Sequence, residues 1–386
     1  MKDFIPYAKQ WIDKEDIKSV SKVLSGDWLT TGPKVKEFEK KFADFVDAKY
    51  AVALSSGTAA LHAASFVAGI KEGDEVIVSP MTFAASSNCI LYQNGKPVFA
   101  DIDKKTYNIN PEEIKKKITD KTKAIIPVDY TGQPCEIEKI MKIAKENDLT
   151  VIEDASHAVG ATTNGKKIGS IADMSVFSFH PVKIITTGEG GMVATDKKEF
   201  YEKLLKFRNH GITKNNNQFL SKKTNPWYQE QQYLGYNYRL TDIQCALGIS
   251  QLKKVNKFLK IRRDIANRYT KEFKKLGGII TPYQNKNIKS SWHLYVIQIE
   301  LEKIKTDRET IFKELLKEKI GVQVHYMPVY YHPYYQKLGY KKGLCSNAEW
   351  LYKRIITIPL YPKMTEDDIK RVVKTIYKIV NNYIKN

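Results

Sequence analysis

Residues 177–193, FSFHPVKIITTGEGGMV, place a single lysine between two apolar segments. Met174–Phe177 is typical of a short buried strand, GEGG (188–191) of a turn, and MVAT (192–195) of a second strand. An ammonium group is costly to bury in such a loop, so Lys183 either reaches solvent or serves as a neutral nucleophile. Burial lowers the pKa of a lysine, and a neutral amine attacks carbonyl carbons to form a Schiff base.

The chain before this stretch alternates between apolar runs and amphipathic runs. The apolar runs predict buried strands, which are YAVALSS (50–56), DEVIVSP (74–80), PVFADID (97–103), TKAIIPVDY (122–130) and TVIEDAS (150–156). The runs between them predict helices, among them TAALHAASFVAG (58–69), PEEIKKKI (111–118) and EIEKIMKIAKENDL (136–149). This alternation predicts an α/β fold with a mostly parallel sheet covered on both faces.

The length of 386 residues is enough for two domains. We expect a large domain over residues 1–255, which begins with an arm of two helices, and a smaller α+β domain over residues 256–386. A long helical pattern with a bend near Gly248 or Val255 would join the two domains.

Composition argues against several classes of protein. No window is apolar for long enough to span a bilayer, and charges and Pro6 interrupt the N-terminus where a signal peptide needs an apolar core. The four cysteines are scattered without a close pair, so neither a zinc site nor a disulfide framework is expected. These features predict a cytoplasmic protein without a membrane segment or a metal.

The formal net charge is +20, and lysine is spread over the amphipathic helices. This pattern favours solvated helix faces over a nucleic-acid surface, which would interleave basic and aromatic residues in a stripe. A second interpretation is that the basic surface attracts an anionic small substrate, such as one with a diphosphate.

Candidate functional residues follow the ends of the predicted strands. Gly57 and Thr58 open a helix after a strand, where free backbone N–H groups bind phosphate, although an ordinary capped turn looks the same. Phe83 follows the next strand and either stacks on a planar ring or belongs to the core. Asp154, with His157 three residues later, either pairs with a ring nitrogen or caps a helix.

Two further features lie in loops. Ser178 and His180 precede Lys183, and the serine hydroxyl is a candidate phosphate donor. Residues 212–238 have no clear periodicity and predict a long loop, near whose end Asn237 lies. A phosphate turn, a stacking aromatic, a carboxylate and then a lysine, in this order, together indicate a pyridoxal 5'-phosphate site.

The strings ALSSGTAALHAA, EDASHAVGA, SFHPVKIITTGEGGMV and GYNYRLTDIQCALG resemble the DegT/StrS group of sugar-nucleotide aminotransferases. This group has the aspartate-aminotransferase fold, called fold type I, and the resemblance covers nearly the whole chain. Within the group, DASHA, SFHPVK and QVHYMPVY are most similar to the UDP-4-amino-4,6-dideoxy-N-acetyl-β-L-altrosamine transaminases of pseudaminic acid biosynthesis. Many members have glutamine at the position of His157, which indicates a subgroup.

The resemblance implies a role for each matching residue. Lys183 would hold the cofactor as a Schiff base and carry a proton, and Asp154 would pair with the ring nitrogen. His157 would lie beside the phenolic oxygen of the ring, and Phe83 would stack on the ring. The phosphate would be bound by Gly57, Thr58, Ser178 and, from the second subunit of a homodimer, Asn237. The sugar nucleotide would be bordered by Tyr7, Asp27, Trp28, Leu29, Thr30, Ser56, His180, His325 and Tyr326.

The implied reaction moves an amino group from L-glutamate, through the pyridoxamine form of the cofactor, to C4 of a UDP-linked 4-keto-6-deoxy-N-acetylhexosamine. Amination at C3 or C4 of a dTDP- or GDP-linked keto sugar is the alternative. A related dehydratase has histidine in place of the lysine, so Lys183 argues against that chemistry. The pair of Lys183 and Asp154 also argues against a regulatory protein that keeps the fold without turnover.

Overall fold

The computed structural model describes residues 3–222 and 225–385. The α-helices of these residues are α1 (Lys14–Leu24), α2 (Pro33–Val46), α3 (Gly57–Val67), α4 (Ala85–Leu91), α5 (Pro111–Lys115), α6 (Ile137–Glu146), α7 (Lys198–Phe207), α8 (Asp242–Leu252), α9 (Val255–Phe273), α10 (Arg308–Lys317), α11 (Pro333–Lys337), α12 (Ser346–Tyr352) and α13 (Glu366–Tyr383). Single 3₁₀ turns cover Tyr130–Gly132, Asn216–Gln218 and Val329–Tyr331.

The strands are β1 (Tyr50–Leu54), β2 (Glu75–Val78), β3 (Lys96–Phe99), β4 (Thr122–Ile126), β5 (Thr150–Asp154), β6 (Thr162–Thr163), β7 (Lys166–Lys167), β8 (Met174–Ser178), β9 (Gly191–Thr195), β10 (Ile212–Thr213), β11 (Glu230–Gln231), β12 (Ile279–Ile280), β13 (Ile288–Lys289), β14 (Tyr295–Ile299) and β15 (Ile355–Ile358). The segment 212–238, predicted as a long loop, thus contains the short antiparallel pair of β10 and β11.

Local sequence sets several of the helix boundaries. Asp13, Thr241 and Thr365 precede α1, α8 and α13, and each side chain accepts hydrogen bonds from the first turn of its helix. In all three, the side chain three residues later bonds back to the capping residue, which is a reciprocal capping box. Pro33 is the first residue of α2, a position where a backbone N–H group would have no acceptor within the helix, so proline costs no hydrogen bond there.

The central sheet has seven strands in the order β1-β9-β8-β5-β4-β2-β3. The strands β8, β5, β4, β2 and β3 pair in parallel, and β9 runs antiparallel to both β1 and β8. The prediction of a mostly parallel sheet is therefore confirmed. The carboxyl ends of β1, β2, β4, β5 and β8 meet at one edge, which is where open α/β sheets bind ligands.

Helices cover both faces of this sheet. Val76 and Val78 of β2 pack in a cluster with α3, α4 and α7, whereas Ile77 packs on the opposite face with α6. A further cluster on that face brings in α2 and α8. Because both faces are covered, the strands are almost continuously buried, which explains their unbroken apolar runs.

A second layered unit contains the antiparallel strands β12, β14 and β15 with helices α9, α10 and α13. Its core also includes Ile5 from the N-terminal arm, whose backbone pairs with Ile320. The long helical pattern breaks between Leu252, the end of α8, and Val255, the start of α9. The division into domains 1–255 and 256–386 stays a prediction. Among the described residues, no helix has both the length and the apolar character needed to cross a membrane.

Candidate active site

A cavity of about 410 Å³ lies at the carboxyl edge of the central sheet. The loops after β1, β2, β5 and β8 supply most of its lining because the carboxyl ends of these strands lie at the same edge of the sheet. Twelve of the residues predicted from sequence line it, namely Tyr7, Ser56, Gly57, Thr58, Phe83, Asp154, His157, Ser178, His180, Lys183, His325 and Tyr326. Residues separated by more than 300 positions in the chain therefore meet around one space.

The start of α3 forms one wall of the cavity. Ser56 caps this helix, with its hydroxyl accepting the N–H of Ala59 at 3.0 Å. The N–H groups of Gly57 and Thr58 belong to the first turn, whose donors have no partner within the helix. A Cβ atom at Gly57 would lie 2.9 Å from the Cβ and 3.1 Å from the Oγ of Ser178. Glycine thus lets the helix start and the Ser178 hydroxyl approach the same point, which suits an anion.

Lys183 lies in the loop after β8, and its backbone N–H donates to the carbonyl of His180 at 2.9 Å. Its side chain lines the cavity and is half-buried. Burial lowers the pKa of Lys183 to about 8, and the nearby Asp154 carboxylate opposes this shift. The neutral amine, which is the state that forms a Schiff base, is therefore more populated near neutral pH than in an ordinary lysine.

Asp154 ends β5 and is held on both carboxylate oxygens. The Ser86 hydroxyl donates to its Oδ2 at 2.6 Å, and the N–H of Ser156 donates to its Oδ1 at 3.1 Å. Ser86 is in turn 2.6 Å from the hydroxyl of Thr82, which can act as its donor. Buried donors of this kind fix the orientation of the carboxylate.

Three histidines form another wall of the cavity. His157, His293 and His325 are all buried and line the cavity. Burial lowers the pKa of His325 to about 3 and moves the pKa of His157 and of His293 well below its usual range. All three imidazoles are therefore neutral at physiological pH, and the nearby lysine keeps them so.

Two contacts orient His157 in this wall. Its Nε2 lies 3.2 Å from the hydroxyl of Tyr326, and its ring centre lies 4.4 Å from that of His293. Nδ1 of His157 is buried and has no hydrogen-bond partner within the described part of the chain. A buried nitrogen without a hydrogen-bond partner is uncommon in folded proteins.

The residues present fit pyridoxal 5'-phosphate. The start of α3 with Ser178 suits the phosphate, and Lys183 supplies a neutral amine. The fixed carboxylate of Asp154 suits a protonated ring nitrogen, and Phe83, which is largely exposed at the cavity, offers an aromatic face. Within residues 3–222 and 225–385, no group of three His, Cys, Asp or Glu side chains is arranged to hold a metal ion.

Five predicted residues do not line this cavity. Asp27, Trp28, Leu29 and Thr30 are exposed, and their segment packs against the start of α8 through the Thr30–Thr241 bridge. Asn237 is also exposed, and its backbone pairs with that of Asn209. A single chain does not bring these side chains to the cavity, and their roles stay predictions.

Sequence reasoning missed Thr82, Ser86 and His293. The first two lie in the string PMTFAASS, from which only Phe83 was selected, because a serine in a buried helix gives no distinct signal. His293 lies two residues before β14 in WHLYVIQIE, a string that predicts only a strand. A polar residue at the start of a buried strand was the available signal.

Residues 10–377 match the DegT/DnrJ/EryC1/StrS aminotransferase family. The chain is 43% identical to the spore coat polysaccharide biosynthesis protein SpsC of Bacillus subtilis, over 98% of this chain and 97% of that protein. It is 41% identical to the UDP-4-amino-4,6-dideoxy-N-acetyl-beta-L-altrosamine transaminase of Campylobacter jejuni, with 99% of each chain covered.

Solved structures agree with these matches. PseC of Helicobacter pylori, an aminotransferase of pseudoaminic acid biosynthesis, superposes with a TM-score of 0.92 at 34% identity, over 98% of this chain and 100% of that chain. The PLP-form of Spr1654 of Streptococcus pneumoniae, described as a sugar aminotransferase, gives a TM-score of 0.91 at 30% identity, over 98% and 99% of the two chains. A PMP-form of the same protein matches equally well.

These findings confirm the predicted resemblance, the fold type I architecture, the enzyme class and the cofactor. The cavity at the carboxyl edge of the sheet is the place where this chain presents the chemistry that the cofactor needs. The chain belongs to the DegT/DnrJ/EryC1/StrS aminotransferase family, and its cofactor is pyridoxal 5'-phosphate.

Proposed function

We propose that this protein transfers an amino group from L-glutamate to C4 of a UDP-linked 4-keto-6-deoxy-N-acetylhexosamine. The observation that carries the proposal is the Lys183 amine in one cavity with the fixed carboxylate of Asp154. The Campylobacter jejuni relative is named for a UDP-4-amino sugar, and the PseC structure is named for pseudoaminic acid biosynthesis. These names favour a UDP-linked 4-amino sugar as the product.

The residues of the cavity have separate tasks in this reaction. Pyridoxal phosphate, when bound, supplies a ring that withdraws electrons from the carbon that loses its proton. Nζ of Lys183 moves that proton, since a pKa of about 8 allows it to act both as base and as acid. Asp154 keeps a proton on the ring nitrogen, and the start of α3 holds the phosphate.

The neutral histidine wall suits an uncharged reacting group such as a sugar ketone. His157, His293 and His325 donate or accept hydrogen bonds without adding charge, because burial keeps all three imidazoles neutral. Tyr326, whose pKa burial raises, stays protonated and can donate a hydrogen bond into the same space. The sugar ring would lie against this wall.

A homodimer is part of the proposal. Asn237 and the segment 27–30 are exposed in the single chain although the resemblance assigns them to the site. Large apolar or aromatic side chains in and beside these segments are exposed, namely Trp28, Leu29, Leu234 and Tyr236. Exposed apolar side chains of this kind are typical of protein interfaces. A second copy of the chain would cover them and would place Asn237 at the neighbouring cavity.

We also propose that the protein acts in the cytoplasm on an anionic substrate. All four cysteines are buried and free, as is usual in a reducing compartment. The net charge of +20 would favour the approach of a nucleotide diphosphate.

Turnover of a panel of UDP-, dTDP- and GDP-linked keto sugars with L-glutamate tests the substrate. We expect the UDP-linked 4-keto-6-deoxy-N-acetylhexosamine to give the highest kcat/KM and a product aminated at C4. The other nucleotide sugars are included in the panel because the SpsC relative is named for spore coat polysaccharide and not for a UDP-linked sugar. A higher kcat/KM for a dTDP or GDP sugar, or amination at C3, would refute the proposed substrate and leave the aminotransferase chemistry intact.

A further inference from the structure

Two carboxyl groups are buried on the face of β5 opposite the cavity. Glu153 precedes Asp154 in β5, so its side chain points to the other face of the sheet. Asp129 follows β4, and because Val128 pairs in parallel with Asp154, the side chains of Asp129 and Glu153 lie on the same face of these neighbouring strands. Both residues are 0% exposed to solvent. Neither belongs to the cavity, and the proposed reaction gives neither of them a task.

Each carboxyl has one oxygen in a hydrogen bond and one without a donor. Oδ1 of Asp129 accepts the N–H of Cys135 at 2.8 Å, and Oε2 of Glu153 accepts the hydroxyl of Ser175 at 2.6 Å. Oδ2 of Asp129 and Oε1 of Glu153 have no donor among residues 3–222 and 225–385. A proton between these two oxygens would satisfy both.

The electrostatic surroundings favour such a proton. Burial raises the pKa of Glu153 to about 7, and the Asp154 carboxylate adds to the shift. Burial and the neighbouring Glu153 raise the pKa of Asp129 well above its usual range. The other titratable group against the pair is the buried thiol of Cys135, whose pKa burial raises, so it stays neutral. Among the described residues, no lysine, arginine or histidine forms an ion pair with either carboxyl.

The pair joins the strand ends that carry Asp154. The N–H of Asp129 donates to the carbonyl of Asp154 at 3.1 Å, and the N–H of Asp154 donates to the carbonyl of Pro127 at 2.8 Å. Ser175, which binds Glu153, belongs to the neighbouring strand β8. We propose that Asp129 and Glu153 share one proton and act as a positioning pair that fixes the ends of β4, β5 and β8 beneath Asp154.

Loss of the shared proton would place two repelling carboxylates in the core. A carboxyl whose pKa is raised by folding binds its proton more tightly in the folded state than in the unfolded state. Its contribution to stability is therefore complete below the unfolded pKa, near 4.5 for Glu153, and is lost as the pH rises through about 7. The pair titrates as a unit, so this loss belongs to both residues together.

Urea unfolding of the full chain at a series of pH values between 5 and 8 tests the pair. Glu153→Gln keeps the shape and lets an amide N–H donate to Asp129 without any shared proton. We expect this variant and the wild type to have similar midpoints at pH 5, and the variant to have the higher midpoint at pH 8. The slope with pH of the difference in unfolding free energy between the two proteins should correspond to about one proton per chain.

Glu136→Gln is the matched control because Glu136 is an exposed glutamate that pairs with Lys139 on the surface. Its midpoint should differ from that of the wild type by an amount that does not change with pH. Asp129→Asn is the second variant and should behave as Glu153→Gln does. Parallel pH curves for wild type and Glu153→Gln, or failure of both amide variants to fold, would overturn the proposal.

A second measurement separates positioning of Asp154 from general stability. Retention of pyridoxal phosphate on gel filtration is compared at pH 5.5 and pH 8.5, with visible absorbance as the readout. The urea concentration is kept well below the unfolding midpoint, so that the protein stays folded. We expect the wild type to lose more cofactor than Glu153→Gln at the higher pH and an equal amount at the lower pH. Equal retention by both proteins at both pH values would contradict the positioning role.

Discussion

The floor of the cavity and its outer edge differ in how completely one chain builds them. The floor, defined here as Lys183, Asp154 and the start of α3, is held by hydrogen bonds from the chain's own strands and helices. The outer edge, defined as residues 27–30 and Asn237, is exposed and does not line the cavity of its own chain; the proposed dimer would place it at the neighbouring cavity. Trp28 alone leaves 58% of its surface in solvent.

This difference is what the proposed homodimer would require, with one subunit completing the site of the other. The reacting groups need fixed geometry within a fraction of an ångström, and a continuous parallel sheet supplies it within one chain. In the proposed dimer, the outer edge would bind parts of the cofactor and substrate that lie farther from the reacting bond. Contacts of that kind can come from a second subunit. We therefore expect variants of the floor to impair the cavity of their own chain, and variants of the outer edge to impair the cavity of the neighbouring chain.

The largest effect is expected at the floor, from Asp154→Asn. This change keeps the size of the side chain and removes the negative charge that holds a proton on the ring nitrogen. Turnover should fall by at least about 100-fold, since breaking a buried charge pair costs roughly 3 to 5 kcal/mol. Single-turnover kinetics with glutamate and with the keto sugar should show similar losses, because the same ring drives both half-reactions.

The Asp154→Asn variant should still bind the cofactor and keep its visible absorbance, because Lys183 and the start of α3 are unchanged. Visible absorbance of the purified protein is the control for cofactor binding. A half-reaction with glutamate that ran near the wild-type rate would show that Asp154 only supports the end of β5.

An intermediate effect is expected when floor and edge variants are mixed. Lys183→Ala and Asn237→Ala should each be inactive as homodimers. After subunit exchange, half of the dimers are mixed, and in each of these one cavity carries both changes and the other carries neither. Activity should recover to about a quarter of the wild-type value per chain.

Native mass spectrometry of differently labelled subunits confirms that exchange has occurred in this mixture. With exchange established, an inactive mixture would place Asn237 at the cavity of its own chain. The comparison between floor and edge would then be wrong.

The smallest effect is expected from Ser86→Ala, which removes one of the two donors to Asp154. A hydrogen bond to a charged group contributes about 1.5 to 3 kcal/mol, so kcat should fall by about tenfold with little change in KM. The visible absorbance of the bound cofactor should also change its pH dependence, because a less firmly oriented carboxylate holds the proton of the ring nitrogen less well.

Ser87→Ala is the matched control, since Ser87 is buried in the same helix and does not bond to Asp154. Its kcat and its absorbance titration should match those of the wild type. Equal losses in the two serine variants would mean that helix packing, and not the Asp154 contact, sets the rate.

The sequence allowed most of the floor to be predicted, for a physical reason. Strands buried on both faces are continuous apolar runs, so the residues that follow them, such as Gly57 and Asp154, can be located by position alone. These residues could be assigned to one site without knowing the order of the strands in the sheet, because the carboxyl ends of parallel strands meet at one edge.

Other features could not be found in this way. Ser86 reaches Asp154 only because the start of α4 lies beside the end of β5. His293 reaches His157 only because the segment before β14 bonds to the backbone of residues 131–132. Both depend on contacts between residues far apart in the chain, which local pattern does not encode. The Asp129 and Glu153 pair has the same origin, since its two members lie at the ends of different strands.

The most direct test of the central claim is to locate the lysine that binds the cofactor. The purified protein, supplied with pyridoxal phosphate, is reduced with borohydride, digested and analysed by mass spectrometry. The pyridoxyl group should be found on Nζ of Lys183, should be absent from the Lys183→Ala protein, and should be strongly reduced if L-glutamate is added before the borohydride. A pyridoxyl group on a different lysine, or none in the wild-type protein, would contradict the assignment of this cavity as the active site.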